Sequence, residues 1–542
     1  MVIDNSLIKN ILHIIFLSFF ILTNYIFSQE YIRNIYIERK NVFDSTQKDW
    51  FFAAKLANSL RVVTRQYIIE DELLFSVNEE LDFRLIEETE RNLRNTGLFT
   101  SVKIELDSVG NDYYDVYLTT QDRWSTRPSI LFGTGGGSQN IGGRIEELNF
   151  LGTATYISLE GLYRTENNTG WQGYSEISQK RLFRSEYGLE AGLFANKYTT
   201  SQFLGLSKPF RTLDTKSSYG IFLNNSFGNE FLFKPDSSYE LMFYHSRSMN
   251  AWYSRAWRDI DRVFFTVSLE LEDINRGKPE FRRAYDNSGK ILLAFSSISE
   301  DYVKSTKLNN YLTEDFSIGG WGTAILGRTF SLGGKGDGFY YIAGQGEQSY
   351  FDGKLYLWGQ LTGASAFAQS RGLNTYQEFS GQAFYRVYDW LLFATRLRQQ
   401  TVWNWYGLRQ LILDNSTGLR GFPVNQITGD NRIVGNIEAR LFPDLQLWIF
   451  NLGLVAFYDF GTAWNQKTEI TKTQWKNSIG IGLRIYDMKS TGSHGIYRID
   501  FAYNLNDRKF GEIIFTSGQL FSAIKSHLFK LPRIFGLEFD SD

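Results

Sequence analysis

The residue whose type and position most clearly indicate a chemical role is Arg420, which lies between Gly418 and Gly421 in the segment GLRGF. Glycine permits backbone shapes and close approaches that other residues forbid, so the segment can form a tight loop that enters a cavity. Two carboxylates follow, Glu438 in one strand-like run and Asp459 in the next. If both face that cavity, they can hold the guanidinium by charge-assisted, bidentate hydrogen bonds. The pattern predicts a structural latch inside a barrel, not a catalytic arginine.

The strand that carries Asp459 has apolar residues on both of its faces. Its inward face, predicted from alternation over residues 447–461, carries Ile449, Val455 and Phe457 in addition to Asp459. An inward surface this apolar needs a packing partner, because exposed apolar surface is costly in water. We therefore expect the arginine loop to fold into the lumen and to place Phe422 against this wall.

Catalytic and metal chemistry find little support in the sequence. The chain has four histidines and no cysteine, which leaves no thiol nucleophile, disulfide or thiolate metal site. No ordered set of nucleophile, base and orienting group can be recognised, and no His, Asp or Glu cluster has metal-ligand spacing. The glycine-rich stretches 133–137 and 332–338 lack the phosphate-loop arrangement. We expect no catalytic residues, no metal site, no cofactor and no enzymatic activity.

The composition favours a barrel that spans a membrane with strands. Aromatic residues make up 16% of the chain, which has 48 glycines but only 7 prolines. Beyond residue 28 no run approaches the roughly 20 apolar residues of a transmembrane helix, and a barrel strand needs apolar residues only at alternate positions. A soluble array of β-sandwiches is the alternative that composition leaves open. A net charge of −2 gives no sign of a nucleic-acid partner.

Short alternating runs fill the chain from residue 124 to Phe521, with clusters of turn residues between them. At roughly 25 residues per strand and turn, this span predicts about 16 strands, an even number as in bacterial barrels. Two runs near the end, 432–442 and 496–506, place polar and charged residues at every second position. Such residues suit a wet lumen and would be very costly against lipid.

The N-terminal part of the chain has two sections. Lys9 precedes an apolar run over residues 11–27 that ends at Ser28, which predicts a secretory signal peptide over residues 1–28; a retained membrane anchor is the alternative. Residues 30–123 read as strand, helices, strand, strand. The helices are predicted over 48–63, 69–75 and 83–95, with Gly97 as the cap of the last one.

Three stretches of this sequence resemble one known superfamily. Residues 87–102 (EETERNLRNTGLFTSV) resemble a POTRA domain, the periplasmic module of BamA-like outer-membrane assembly and secretion proteins, which include the bacterial surface antigen family. The Arg420 segment, with an aromatic-x-Asp-x-Gly strand that ends at Gly461, resembles the inward loop of the same superfamily. Residues 149–153 resemble its early-barrel sequence. The departures are Arg39-Lys40-Asn41, where a glycine often precedes the asparagine, the extra helix predicted over 48–63, and Leu419, where valine is common.

The resemblance implies a fold and a function. The fold is an all-β transmembrane 16-stranded antiparallel β-barrel preceded by one small α/β POTRA domain. The function is insertion or translocation of unfolded outer-membrane or secreted polypeptides, in contact with outer-membrane lipid and with the POTRA domain in the periplasm. Accessory lipoproteins are left open as further partners. A dedicated two-partner-type secretion pore and a non-transporting structural or lipid-handling barrel are the alternatives. Arg420 would contact Asp459, with Glu438 assisting.

Further expectations concern two strand edges. A client strand would pair with the POTRA edge over 101–107, whose alternate residues are Val102, Ile104 and Leu106. Glycines weaken strand pairing, so the seam between the first and last barrel strands is expected to open where it carries the residues Gly133, Gly135, Gly518 and Phe521. The domains are thus 1–28 signal peptide, 30–123 POTRA domain, 124–521 barrel and 522–542 C-terminal tail.

Overall fold

The computed structural model describes most of the chain beyond the predicted signal peptide. The described residues are 29–42, 62–110, 112–212, 215–234, 238–257, 261–311, 313–368, 371–447, 450–487, 496–524, 527 and 529–541. The predicted signal peptide, and the helix predicted over 48–63 except for its last two residues, lie outside them. The chain divides into two compact units, Met1–Thr126 with Glu147–Thr155 and Arg127–Glu146 with Tyr156–Asp542.

The described residues of the first unit form a three-stranded sheet and two helices. In chain order its elements are β1 (Tyr31–Lys40), α1 (Gln66–Glu70), α2 (Phe83–Asn95), β2 (Phe99–Gly110) and β3 (Tyr113–Asp122). The sheet order is β1-β3-β2, with β1 parallel and β2 antiparallel to the central β3. Strands β1 and β2 are therefore the two edges of this sheet.

Local sequence signals explain the limits of α2. The Asp82 carboxylate accepts a hydrogen bond from the Arg84 backbone N–H at 2.9 Å, which caps the N-terminus. Gly97, with φ +75°, follows its last turn as the sequence predicts. The helix buries Ile86 and Leu93 against the sheet. The helix predicted over 69–75 is shorter and earlier, because Leu73 and Phe75 pack into the core from the loop beyond α1.

The second unit is built around a closed antiparallel barrel. Short 3₁₀ turns lie in its connections at Glu166–Asn168, Leu182–Arg184, Pro279–Phe281 and Ile470–Lys472. The strands are β4 (Thr126–Gly135), β5 (Ser138–Phe150), β6 (Thr155–Arg164), β7 (Gly170–Gln179), β8 (Gly188–Ala195), β9 (Thr199–Lys208), β10 (Ser217–Phe233), β11 (Tyr239–Trp257), β12 (Arg262–Arg276), β13 (Ser288–Ser305), β14 (Glu314–Ser331), β15 (Tyr340–Phe351), β16 (Leu355–Ala368), β17 (Arg371–Tyr388), β18 (Leu391–Trp403), β19 (Leu411–Leu413), β20 (Ile427–Gly429), β21 (Asn431–Leu441), β22 (Gln446–Leu447), β23 (Phe450–Trp464), β24 (Lys476–Asp487), β25 (Ile496–Asn504) and β26 (Lys509–Ser517).

The prediction of 16 strands is wrong. Over the described residues the barrel wall has 20 strands, β4–β18, β21 and β23–β26, while the two-residue β22 pairs only with the start of β23. The error comes from the first part of the barrel. Strands β4–β9 are only 8 to 13 residues long and follow one another through short connections, so a spacing of roughly 25 residues undercounts them. The count remains even, as in bacterial barrels.

Side chains alternate between the lumen and the outside along the barrel strands. In β15, exposed and buried residues alternate over almost the whole strand. In β21 the polar residues predicted to face inward are all buried, whereas Ile437 on the other face is exposed. The exposed face of the wall is rich in apolar residues, which include Phe295, Leu326, Ile342, Leu361, Phe393, Leu454 and Ile481. Within the described part of the chain, no helix is long and apolar enough to cross a bilayer.

One long connection of the barrel folds back into its interior. Residues 404–430 join β18 to β21 and contain the two-stranded sheet of β19 and β20. Leu411, Leu413, Leu419 and Phe422 in this connection are buried. We call the end of the barrel where this connection starts the loop end. The opposite end, where the short turn at 389–390 joins β17 to β18 and where β26 finishes, is the turn end.

Candidate functional site

The backbone around Arg420 forms a compact turn. The Asp414 carbonyl accepts hydrogen bonds from the N–H groups of Gly418 and Leu419 at 3.0 and 2.7 Å. Gly418 and Gly421 have φ values of +121° and +82°, a region that favours glycine. The two glycines therefore turn the chain sharply on each side of Arg420 and direct its side chain at the barrel wall.

Arg420 makes a two-pronged contact with Asp459 on β23. Its Nε lies 2.7 Å from Asp459 Oδ2 and its Nη2 lies 2.8 Å from Oδ1. The planar guanidinium fork matches the carboxylate in this geometry. Neither side chain has any exposed surface. The Asn436 amide, on β21, donates to Asp459 Oδ1 at 2.8 Å and to the Gly418 carbonyl at 2.6 Å, and so ties the turn to the same carboxylate.

Two further carboxylates and an aromatic ring complete the surroundings of the guanidinium. Arg420 Nη1 lies 2.9 Å from Glu438 Oε1 and 3.1 Å from Asp500 Oδ2. The Arg420 Cζ atom lies 3.5 Å from the centroid of the Phe457 ring, a cation–π contact. We call Arg420 with Asp459, Glu438, Asp500 and Phe457 the Arg420 cage. Strands β21, β23 and β25 thus each contribute side chains that bind the loop residue Arg420.

Asp500 is the member of the cage that the sequence reasoning did not assign. It lies on β25, and β24 separates it from Asp459 on β23. A Cβ added at Gly482 of β24 would lie 2.1 Å from Asp500 Oδ1, and one at Gly480 would lie 2.2 Å from Phe457 Cζ. The two glycines therefore leave room on the inner face for Phe457 and Asp500 to lie over β24. Glycines two residues apart in a strand are the sequence signal that could have found this site.

A second layer of arginines balances the carboxylates of the cage. Arg440 Nε donates to Glu438 Oε2 at 2.8 Å, and Arg484 Nη1 donates to Asp500 Oδ1 at 2.6 Å. Arg498 Nε lies 3.4 Å from Asp500 Oδ2. The acidic and basic groups alternate in space across the inner wall. Because they are buried, removal of one would leave a partner charge without compensation.

Phe422 does not pack where the sequence analysis expects it. It lies in an apolar cluster with Leu413, Leu419 and Val434, on the side of the loop that faces β21. The inner wall of β23 instead packs with β25 and β26, in a cluster of Val455, Phe457, Ala502 and Ile514. The turn at Gly421 approaches β26 closely, since its carbonyl oxygen lies 2.6 Å from where a Cβ at Gly511 would be. At Gly461, an added Cβ would lie 2.7 Å from the Ile433 carbonyl oxygen and 3.0 Å from Leu413 Cδ2, so this glycine makes room for the loop.

The residues predicted for the seam are only partly together. Gly133 and Gly135 lie on β4, which pairs with β26 through Thr134 and Phe515, and the rings of Phe132 and Phe515 stack at 4.0 Å. Gly518 follows β26 with φ +82°. Phe521 lies elsewhere, since it is buried beside Phe384 and its carbonyl accepts from Arg440 Nη2 at 2.8 Å. The chain turns inward after Gly518 and takes Phe521 into the lumen.

The inner side of the seam borders a cavity of about 340 Å³. Strands β4 and β26 line it together with the loop residues Asn415 and Val424. A Cβ at Gly135 would lie 2.5 Å from Asn415 Nδ2, so the loop that carries Arg420 also reaches the first strand. The predicted client edge lies on β2, an edge strand, where Val102 is buried and Ile104 and Leu106 are half-buried. Among the described residues, no group of three or more His, Asp or Glu side chains is arranged for a metal ion.

The chain is similar to several solved structures at low sequence identity. No protein-family model matches it, and no curated protein does. Among solved structures it is similar to BamA from Haemophilus ducreyi lacking POTRA domains 1–3, with 13% identity, a TM-score of 0.42 and coverage of 90% of this chain and 84% of that one. It is also similar to CdiB from Acinetobacter baumannii (12%, TM-score 0.45, coverage 90% and 73%) and from Escherichia coli (12%, 0.43, 90% and 76%). The identities and TM-scores are low, so this likeness transfers no function.

We expect Arg420→Ala to destabilise the barrel by about 3–5 kcal/mol, because it leaves three buried carboxylates without their shared cation. Arg420→Lys should recover only part of this loss, since an ammonium group cannot form the two-pronged contact. The measurement is urea unfolding of the purified protein in lipid vesicles, followed by tryptophan fluorescence. A midpoint for Arg420→Ala equal to that of the wild type would show that the cage is dispensable.

Gly482→Ala should push Asp500 away from Arg420 while the contact with Asp459 remains. The expected cost is about 1–3 kcal/mol, as for other overpacked sites, and therefore smaller than that of Arg420→Ala. Gly346→Ala is the matched control, because an added Cβ at this β15 glycine meets no atom within 4 Å. Equal unfolding midpoints for the two glycine variants would contradict the role assigned to β24.

Proposed function

We propose that this protein is an outer-membrane barrel of the BamA-like type that inserts or translocates polypeptides. The observation that carries the proposal is the contact of Arg420 with Asp459 on the inner wall, beside Glu438. The resemblance described above implies that contact, residue by residue. A buried ion pair of this kind holds a loop inside the lumen, where it can brace the wall and restrict what passes. We further propose that the protein catalyses no reaction.

The exposed side chains of the barrel support a place in a bilayer. Closure of the barrel pairs the backbone groups that an open sheet edge would leave unsatisfied in lipid. Apolar side chains such as Phe295 and Leu361 cover the outer face, while charged residues such as Arg440 and Asp500 lie inside. This distribution is the one a membrane barrel with a polar lumen requires.

We propose that the first unit is a POTRA domain in the periplasm and that it receives the client. Its order of strand, helix, helix, strand, strand and its parallel β1–β3 pair support this identification. Strand β2 is an edge of the sheet, so a client strand can add to it through main-chain hydrogen bonds. Val102, Ile104 and Leu106 face the core of the unit, and the edge would therefore select clients by backbone more than by side chain.

A dedicated two-partner-type secretion pore is the second candidate. It is favoured by the interior of the barrel, where the described part of residues 522–541 already lies against inward-facing side chains. In either case we propose unfolded polypeptides as clients, lipid as the surrounding medium and accessory lipoproteins as further partners. The first candidate routes clients through the seam of β4 and β26, and the second routes them through the lumen.

Depletion of the protein followed by quantitative proteomics of the outer membrane tests the proposed function. Insertion predicts that many barrel proteins decrease together, and a dedicated pore predicts that one secreted protein is lost. An unchanged protein content would contradict both and would favour a structural or lipid-handling barrel. Complementation with the Arg420→Ala variant should restore export of the protein itself but not the normal content of clients.

The proposed bilayer contact predicts opposite results at neighbouring residues of β16. Leu361 is exposed on the outer face, whereas Gln360 belongs to the inward set of the same strand. Leu361→Arg should destabilise the barrel in vesicles by about 2–4 kcal/mol if it lies near the middle of the bilayer. Gln360→Arg, the matched control, should have a much smaller effect. Equal urea midpoints for the two variants would exclude lipid at this face.

A further inference from the structure

The lumen of the barrel contains a stretch of the chain that no strand pairing explains. Residues 522–541 follow β26, and their described part, 522–524, 527 and 529–541, lies against inward-facing side chains; we call it the lumen segment. It starts at the turn end, where the Ala523 N–H donates to Asn309 Oδ1 at 2.6 Å. It reaches the loop end, where the Phe231 N–H donates to Ser541 Oγ at 2.8 Å. The lumen segment therefore runs along the full height of the barrel.

An acidic and aromatic part of the wall holds the first half of the lumen segment. Glu300 accepts from the His527 N–H at 2.9 Å, and Glu347 accepts from the Lys530 ammonium group at 2.6 Å. The His527 ring lies between Glu347 and Ser349, with nitrogen-to-oxygen distances of 3.1 and 2.7 Å. The Phe529 ring is surrounded by aromatic rings of the wall, with centroids 4.9 to 5.8 Å away, at Phe210, Phe264 and Trp321.

Basic residues of strand β21 and of two connections at the loop end hold the second half. Arg432 Nη1 lies 2.8 Å from Asp540 Oδ2. Arg409 donates to the carbonyl oxygens of Gly536 and Glu538, and Arg283 Cζ lies 3.5 Å from the centroid of the Phe539 ring. The charge of the lumen segment therefore changes from basic to acidic along its length. The charge of the residues around it changes from acidic to basic.

Residues of the wall and of the 404–430 connection bind the main chain of the lumen segment at several heights. Tyr356 donates to the Ile524 carbonyl at 2.7 Å, and Tyr341 accepts from the Phe535 N–H at 3.0 Å. The side-chain amide of Gln410 donates to the Asp540 carbonyl at 2.8 Å, and the main-chain carbonyl of Gln410 accepts from the Asp540 N–H at 2.8 Å. Main-chain contacts of this kind can be made by any extended chain, and the aromatic and charged sites add preference.

We propose that this track of wall and connection residues is a binding site for an extended polypeptide, and that the lumen segment is its resident occupant. A client segment with aromatic and basic residues followed by acidic ones displaces it. The inference deepens the proposed function, since it rests on that function for the identity of the client. The track itself is defined by contacts within this chain.

Displacement would also affect the loop that carries Arg420. Asp540 Oδ2 accepts from the Ile412 N–H at 2.9 Å as well as contacting Arg432, and Ile412 belongs to β19 of that loop. Release of the lumen segment removes these anchors at the loop end. The Arg420 cage, on the other side of the loop, keeps all of its own partners. Occupancy of the track is therefore communicated to the loop without disruption of its buried ion pairs.

Competition with a synthetic peptide tests the proposal. The probe is a fluorescent peptide with the sequence of residues 522–541, added to the full-length protein in lipid vesicles. In the wild type the resident segment competes at a high effective concentration, so binding should be weak. In the double variant Phe529→Ala, Lys530→Glu the resident segment is weakened and the wall is unchanged. We expect at least about tenfold tighter peptide binding by this variant, because the track is open more often.

A covalent lock provides the second arm, since the chain contains no cysteine. The 2.8 Å contact of the Phe231 nitrogen with Ser541 Oγ keeps the two Cα atoms near the range, up to about 6.8 Å, that a disulfide spans. In the Phe231→Cys, Ser541→Cys protein, oxidation should abolish peptide binding and reduction should restore the wild-type level. When the lock is added to the weakened double variant, reduction should restore tight binding. Phe393→Ala, on the exposed outer face, is the matched control and should bind as the wild type does.

Several results would overturn the proposal. One is a folded double variant, judged by heat-modifiable gel migration, that binds the peptide no better than the wild type. A second is equal binding of a peptide in which the order of basic and acidic residues is reversed. A third is full binding by the oxidised lock. An unchanged outer-membrane proteome on depletion, combined with tight peptide binding by the double variant, would contradict the proposed function but support the track. A changed proteome, combined with no gain in peptide binding, would contradict only the track.

Discussion

The second unit depends on the balance of charge around one buried arginine. Arg420, Asp459, Glu438 and Asp500 have no exposed side-chain surface. Removal of ions from water costs several kcal/mol for each ion, and mutual attraction offsets this cost only when the geometry is good. The cage meets that condition with a two-pronged contact and a stacked ring. Its importance lies less in net stability than in position, because any displacement of the loop would leave carboxylates uncompensated.

Glycines in the wall strands make room for this loop and for the side chains that bind it. Strand β24 carries glycines at positions 480 and 482, so its neighbours β23 and β25 can extend Phe457 and Asp500 over it. Gly461 and Gly511 provide room in the same way for Leu413 and for the Gly421 backbone. Glycines weaken a strand by themselves. Here they concentrate on the inner face next to the loop, where the contacts that they permit offset that cost.

The sequence predicted local features well and distant ones poorly. The alternation in β21 and β25 could be predicted because the two-residue period of a strand does not depend on its neighbours. The contact of Arg420 with Asp459 was implied by the resemblance, and the residue types on successive strands permit it. Asp500 was missed because its side chain can lie over β24 and reach Arg420 only where β24 has glycine instead of a larger residue. The strand count failed because spacing typical of longer strands was applied to β4–β9. The path of residues 522–541 had no periodic signal, since its partners are scattered over the whole wall.

The ion pairs of the Arg420 cage and those of the lumen segment differ in exposure, and this difference determines which can exchange more readily. The carboxylates and guanidinium of the cage are fully buried, whereas 29% of the Asp540 side chain and 39% of the Lys530 side chain are exposed. Ion pairs that water can reach contribute little, at most about 1 kcal/mol each. The ion pairs of Asp540 and Lys530 can therefore exchange with water more readily than those of the cage. The loop is in this way fixed to the wall by one side, while its other side holds a chain that can be replaced by another.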